Sequence, residues 1–342
     1  MKFLRPNILC ENLLIIDGLS GSGKSILAPV LSSFKRVEKW RDLPVLDQLC
    51  IYNTQKNSPN YDTSVIIQLL CDIALYNNMI SREVNLRPFD DSGVFNNPYA
   101  FKYFKRLFSS GGDDVISEIQ DNETILNILS QSIFHSSNVL FETFKKNISF
   151  IIAERHPLYM IEHQYSYIER FGVDKREFTL TTGNKGTIPW YVSNVEGYSD
   201  MNSMDKVIHV INALTLMYEK SLNELDVESR KQVQFIPFES FVLDPYPWVK
   251  KCELLLRTQT TRYTKKILTK QKCPRTFIHT GKGHKSYGFN SKDTKLTEKE
   301  DYNRRLELVQ KEATPETIKL LNNISLKYAK KYDFPRAMPW EV

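Results

Sequence analysis

The run Gly18-Leu19-Ser20-Gly21-Ser22-Gly23-Lys24-Ser25 has the residue types and spacing of a phosphate-binding loop, G-x-x-x-x-G-K-[ST]. Glycines let the backbone turn tightly enough for successive N–H groups to face one anion, and a following helix adds the positive end of its dipole. Lys24 would reach the outer phosphates, and the Ser25 hydroxyl would ligate Mg²⁺ if a nucleoside triphosphate were held. The expected nucleotide-binding set is therefore Gly18, Ser20, Gly21, Ser22, Gly23, Lys24 and Ser25, with Lys24 also the charge-neutralising catalytic group.

A second place that could do chemistry is Ile148-Ser149-Phe150-Ile151-Ile152-Ala153-Glu154-Arg155. An apolar strand that ends in charge brings that charge to the carboxyl edge of a sheet. There Glu154 could hold Mg²⁺ or its water, or Arg155 could clamp a phosphate. The bland alternative is that the two merely pair or cap the strand.

These residues need a scaffold. Leu13-Leu14-Ile15-Ile16 reads as a buried parallel strand running straight into the loop, and a helix follows from Ile26, shortened or kinked by Pro29. Apolar residues at helical spacing (Val65, Ile66, Leu69, Leu70, Ile73) predict a helix over Thr63–Asn77. Ile148–Ala153 and Val233–Pro237 read as further strands, and Leu158–Arg170, Asp205–Leu225 and Pro315–Lys331 as helices. Strands alternating with helices imply an α/β fold, a P-loop three-layer α/β/α domain with a mostly parallel sheet. Residues 1–342 are read as one domain, with turn-rich insertions at about 82–115 and 172–200.

Composition narrows the class. The chain has 342 residues, 41% hydrophobic, and a formal net charge of +6, enough apolar material for a large core. Between Lys250 and Lys311 stand 17 basic residues against 6 acidic ones, a stretch suited to phosphate, sulfate or a polyanion, or to plain solvation. The five scattered cysteines form no C-x-x-C pair, which points away from zinc and disulfides and towards a reducing, cytoplasmic setting. No leader-like apolar core precedes Asp17, and no stretch is long and apolar enough to span a membrane.

The order of these motifs resembles the nucleotide-dependent sulfotransferase family, which shares the P-loop fold. The resemblance rests on the first strand and loop, on Arg155-His156-Pro157 after a later strand, on Glu239 with Asp244-Pro245 after a third, and on Thr314-Pro315-Glu316 opening the last helix. It implies that 3′-phosphoadenylyl sulfate donates a sulfuryl group to a hydroxyl of a saccharide or small metabolite. It also implies that the loop holds the 5′-phosphosulfate and that Arg155, with His163 or Ser166, holds the 3′-phosphate. A late basic loop, Lys282-Gly283, would close over the donor. His135 stands where the family places a base, with His279 and His284 as further candidates.

Three positions depart from the family. Gly21 replaces a basic residue, Lys24 replaces Ser or Thr, and His163 replaces a serine. These differences leave open an ATP/Mg²⁺-dependent small-molecule or saccharide kinase, in which Ser25 with Glu154 or Asp17 would serve the metal. A nucleotide-gated polyanion binder using the 250–311 surface is a third reading, although the chain has no interleaved aromatic pattern or nucleic-acid motif. Oligomeric state is not legible.

Overall fold

The computed structural model describes residues 3–56, 60–88, 90–175, 178–182, 188–279, 285–286, 289–290 and 296–334. Its framework is a five-stranded sheet whose pairings are all parallel. The strands are β1 (Asn12–Asp17), β2 (Arg41–Asp42), β3 (Ile125–Leu129), β4 (Ile148–Glu154) and β5 (Val233–Pro237), in spatial order β2-β3-β1-β4-β5. Leu13 stands opposite both Leu126 and Ile148, so β1 is paired on both edges.

The apolar runs are continuous because both sheet faces are covered. Alternate residues serve opposite sides. Leu13, Ile15, Phe150 and Ile152 pack with Cys50, Ile67, Leu75, Phe134, Val207 and Ile211, while Leu14, Ile16, Ile151 and Ala153 pack with Leu27, Leu31, Phe34, Phe241, Val249 and Ile267. This is the expected α/β three-layer arrangement.

Helix α1 (Lys24–Leu31) leaves the loop directly and tolerates Pro29 by stopping two residues beyond it. Then come α2 (Pro44–Lys56), which follows β2 almost at once, and α3 (Asn60–Met79), longer at both ends than its apolar spacing suggests. The expected later helices lie at Pro157–Ile168, Ser203–Glu224 and Pro315–Tyr332. A further helix, Glu298–Glu312, opens with a Thr297–Glu300 capping box.

The turn-rich segment after residue 82 contains α4 (Ala100–Arg106) and docks on the residues that lead into β2. Tyr103 donates to Glu38 at 2.7 Å and accepts the Lys39 N–H at 2.8 Å, while Arg106 and Lys102 also bond the Glu38 carboxylate. The 172–200 segment carries a two-stranded ribbon, Thr181–Thr182 against Ile188–Pro189, and short turns at Trp190–Val192 and Tyr198–Asp200. Lys282, Gly283 and His284 lie outside the described residues. All five cysteines are buried free thiols. Among the described residues no helix is long and apolar enough to cross a membrane.

Candidate functional site

Because the strands run parallel, Asp17, Asp42, Glu154 and Pro237 all end at one edge of the sheet. The chain passes from β3 back across β1 to β4, and open α/β sheets bind ligands where the winding reverses in this way. Gly18–Ser25 fills that crevice.

The loop's shape depends on positive φ at Gly18, Gly21 and Gly23, and at two of them a side chain is also shut out. Gly18 has φ +136°, and a Cβ there would run into the Ala153 carbonyl; Gly23 has φ +101°, and a Cβ there would run into the Phe238 ring. Ser22 N–H bonds Leu19 O at 3.0 Å, which closes the turn. The N–H groups of Gly21, Gly23, Lys24 and Ser25 make no hydrogen bond among the described residues, so a fan of donors is left at the start of α1. Ser22 Oγ is buried and likewise without a partner among the described residues.

Lys24 is 7% exposed and donates to Gly18 O. Burial lowers its pKa, opposed by Asp17, Asp47 and Asp42. Arg155 donates to Gly21 O at 3.1 Å, and its guanidinium lies 4.3 Å from the centre of the Phe238 ring. Desolvation brings its pKa down to about 10, with Glu239 opposing and Arg305 and Arg275 adding to the drop, so it stays cationic at neutral pH. Its Nε is buried with no partner among the described residues.

His163 reaches Ser20 Oγ at 3.0 Å and packs against Gly21, where an added Cβ would stand 3.2 Å from the His163 Cβ. The imidazole thus occupies the space that a side chain at Gly21 would need. Gln164, which the sequence does not single out, holds Ser20 O at 2.8 Å. Ser166 turns to its own helix and donates to His163 O at 3.0 Å.

Two carboxylates sit differently from their sequence expectation. Glu154 accepts from Lys331 at 2.8 Å and also from the Tyr332 hydroxyl. Asp17 is fully buried and accepts from Ser130, from the backbone of Ser132, Ile133 and Phe134, and from Tyr218. Ser25 is exposed. The two carboxylates expected to serve Mg²⁺ beside Ser25 are thus held by cations and donors of the chain itself, and these residues do not fit the metal. Among the described residues no cluster of three or more His, Cys, Asp or Glu is placed to hold one.

His135 lies in a short turn after β3 rather than on the strand. Its ring is 4.7 Å from that of Trp190, Nδ1 meets Ser136 Oγ at 2.8 Å, and Nε2 is buried without a partner among the described residues. Burial pulls its pKa down to about 4, so the imidazole is neutral at physiological pH. His279 Nδ1 contacts Glu298 Oε1 at 3.1 Å.

Sequence reasoning misses Asp42 and Asp47, the other acidic neighbours of Lys24. Asp47 is buried and accepts the Gln131 N–H at 2.8 Å; desolvation raises its pKa well above the usual carboxylate range. Asp42 keeps contact with solvent and is also shifted upward, by desolvation first, with Lys39 opposing. A two-residue edge strand leaves no periodic pattern by which to find it.

No family model and no curated protein matches this chain. Among solved structures it is similar to the sulfotransferase domain from the curacin biosynthetic pathway, at 15% identity and TM-score 0.42, over 93% of this chain and 99% of that one. It is also similar to the sulfotransferase domain from the Synechococcus PCC 7002 olefin synthase, at 11% identity and TM-score 0.42, over 95% and 98%. A third is a sulfotransferase from Alicyclobacillus acidocaldarius, at 15% identity and TM-score 0.36, over 79% and 92%.

Proposed function

We propose that this protein is a transferase that moves a sulfuryl group from 3′-phosphoadenylyl sulfate to the hydroxyl of a small molecule. The observation that carries this reading is a contrast within the site. Lys24, the uncommitted loop N–H groups and Arg155 form a cationic set around one loop, while Glu154 and Asp17 are consumed by other partners.

In this reading the N–H groups of Gly21 to Ser25 and the Ser22 hydroxyl cradle the 5′-phosphosulfate. Lys24 swings from Gly18 O to neutralise charge on the leaving group, an electrostatic role that gains strength in a buried site. Arg155 takes the 3′-phosphate, with His163 and Ser166 on the adjoining helix. The donor supplies the activated sulfuryl group, and the chain supplies orientation and a base. His135 is the base expected from the sequence; Asp42, exposed at the carboxyl end of β2 and so at the same edge of the sheet as the loop, is a second candidate.

Calorimetry tests the reading. Adenosine 3′,5′-bisphosphate should bind without metal, and ATP with Mg²⁺ should bind more weakly. Binding of ATP·Mg²⁺ with no response to the bisphosphate would overturn sulfuryl transfer and leave the kinase reading, which Ser25 supports.

A further inference from the structure

We infer that the last helix, Pro315–Tyr332, fixes the position of Arg155, acting through Tyr328 and Glu239 as positioning residues; this rests on the reading above that gives Arg155 the 3′-phosphate. Arg155 needs such support. It lies between Glu154, the last residue of β4, and His156, the N-cap of the following helix, so neither a strand nor a helix defines its backbone. What holds it comes from its neighbours.

Both neighbours are tied to the same helix. On one side, the Glu154 carboxylate accepts from Lys331 at 2.8 Å and from the Tyr332 hydroxyl. On the other, the His156 N–H donates to Glu239 Oε1 at 3.0 Å, and Glu239 Oε2 accepts the Tyr328 hydroxyl at 2.5 Å. The His156 ring also stands edge-on to the Tyr328 ring, 5.5 Å away. Tyr328, Lys331 and Tyr332 are spaced i, i+3, i+4 and share one helix face. That face reaches the chain immediately before and immediately after Arg155.

Glu239 is also next in the chain to Phe238, whose ring centre lies 4.3 Å from the Arg155 guanidinium. Two successive residues thus hold the backbone just beyond Arg155 and the far end of its side chain. The guanidinium is left against the loop, where it donates to Gly21 O at 3.1 Å. Glu239 is 1% exposed, and its hydrogen-bond donors among the described residues are an amide and a phenol, both uncharged. A buried carboxylate held in this way depends on each of its donors. Without the Tyr328 hydroxyl one oxygen loses its partner, and the carboxylate that anchors His156 is free to turn. A guanidinium fork bonds a phosphate only within narrow limits of distance and angle. A small displacement of Arg155 therefore weakens the grip on the phosphate it serves and spares the one held by the loop.

The experiment titrates the full chain with adenosine 3′,5′-bisphosphate and with adenosine 5′-monophosphate by calorimetry. It also follows the Arg155 Nε–H resonance by NMR, assigned by its absence from Arg155→Lys. Glu239→Ala should cut the preference for the bisphosphate about tenfold and Tyr328→Phe about threefold, with monophosphate affinity within about twofold of the wild type. Both should shift the Arg155 resonance. Glu239→Gln keeps an acceptor for the His156 N–H and a donor for the Tyr328 oxygen, and should retain most of the preference. A merely structural role would lower thermal stability and leave both the ratio of affinities and the resonance unmoved, and that result overturns the inference. If Glu239→Ala does not fold, Tyr328→Phe decides on the same two readouts. If the wild type itself does not distinguish the two nucleotides, sulfuryl transfer falls and the resonance decides alone. A shift in the variants then sustains the positioning of Arg155 by the last helix, and no shift ends it.

Discussion

Two parts of this molecule bury charge, and they do it in opposite ways. At the edge of β2, Glu38 is 2% exposed and is met by Lys102 at 2.8 Å, Tyr103 at 2.7 Å and Arg106 at 2.9 Å, with Arg106 also reaching Glu118 at 3.1 Å. The cluster is complete: the carboxylate is held near a pKa of about 2, where its cations outweigh desolvation. At the loop, Lys24 is buried with only a backbone carbonyl to bond, and Ser22 Oγ, Arg155 Nε and the Tyr159 hydroxyl are buried without partners among the described residues. Burial of charge is common to both, so burial does not mark function. What sets the loop apart, under the proposed reading, is that its buried donors gather at one point where an anion would satisfy them.

The largest test of that contrast is Glu38→Gln. Removing one side of a closed, buried charge cluster should lower unfolding free energy by about 3–5 kcal/mol, read by urea denaturation. Nucleotide affinity of the folded fraction should not change. A loss below about 1 kcal/mol would mean that the cluster does not hold the insertion.

Acid should separate the two regions next. His135 and His156 are buried and neutral, with pKa values pulled by desolvation to about 4 and about 3. The unfolded chain takes up these protons near pH 6.5, so stability is lost as pH falls below that value, by about 3 kcal/mol for the pair at pH 5. Glu38 has a depressed pKa, so its contribution persists until pH drops below about 4.5 and fades towards 2. The stability of the wild type relative to His156→Gln, measured in urea, should therefore fall from pH 7.5 to 4, a comparison in which the raised carboxyls of Asp47, Asp42 and Glu239, which gain stability in acid, cancel. A flat difference would show that His156 takes up its proton in the fold as readily as in the unfolded chain.

Lys24→Ala should behave as the reverse of Glu38→Gln. Stability should move by no more than about 1 kcal/mol, because a desolvated amine with one carbonyl partner is a poor stabiliser. Affinity for both adenosine 3′,5′-bisphosphate and adenosine 5′-monophosphate should fall by about 1.5–3 kcal/mol. Arg155→Ala, the smallest effect, should cost about 1.5 kcal/mol for the bisphosphate and much less for the monophosphate. Equal losses for the two ligands would remove Arg155 from the 3′-phosphate.

What was legible in the sequence follows from how local each signal is. The first strand, the loop and the strands at 148 and 233 are continuous apolar runs followed by turns or charge, and they stand where they were expected. Asp17 looked free for a metal because its partners are the turn after β3 and Tyr218, far along the chain. Glu154 is held by Lys331 and Tyr332 for the same reason. Such commitments are set by packing and leave no trace in spacing. The helix Glu298–Glu312, which the sequence reading passes over, is different, since its Thr297–Glu300 box is a local signal that could have marked it.

The ring of Phe238 stands where a side chain at Gly23 would have to go, and the guanidiniums of Arg155 and Arg275 lie 4.3 Å and 5.6 Å from its centre. Over generations this imposes an order on change. A lineage cannot replace Gly23 until position 238 has shrunk, and shrinking position 238 first removes the surface on which two arginines rest. Drift away from the loop motif must therefore pass through an ancestor with a hole beneath its own cations. No descendant should carry a side chain at position 23 together with an aromatic ring at 238.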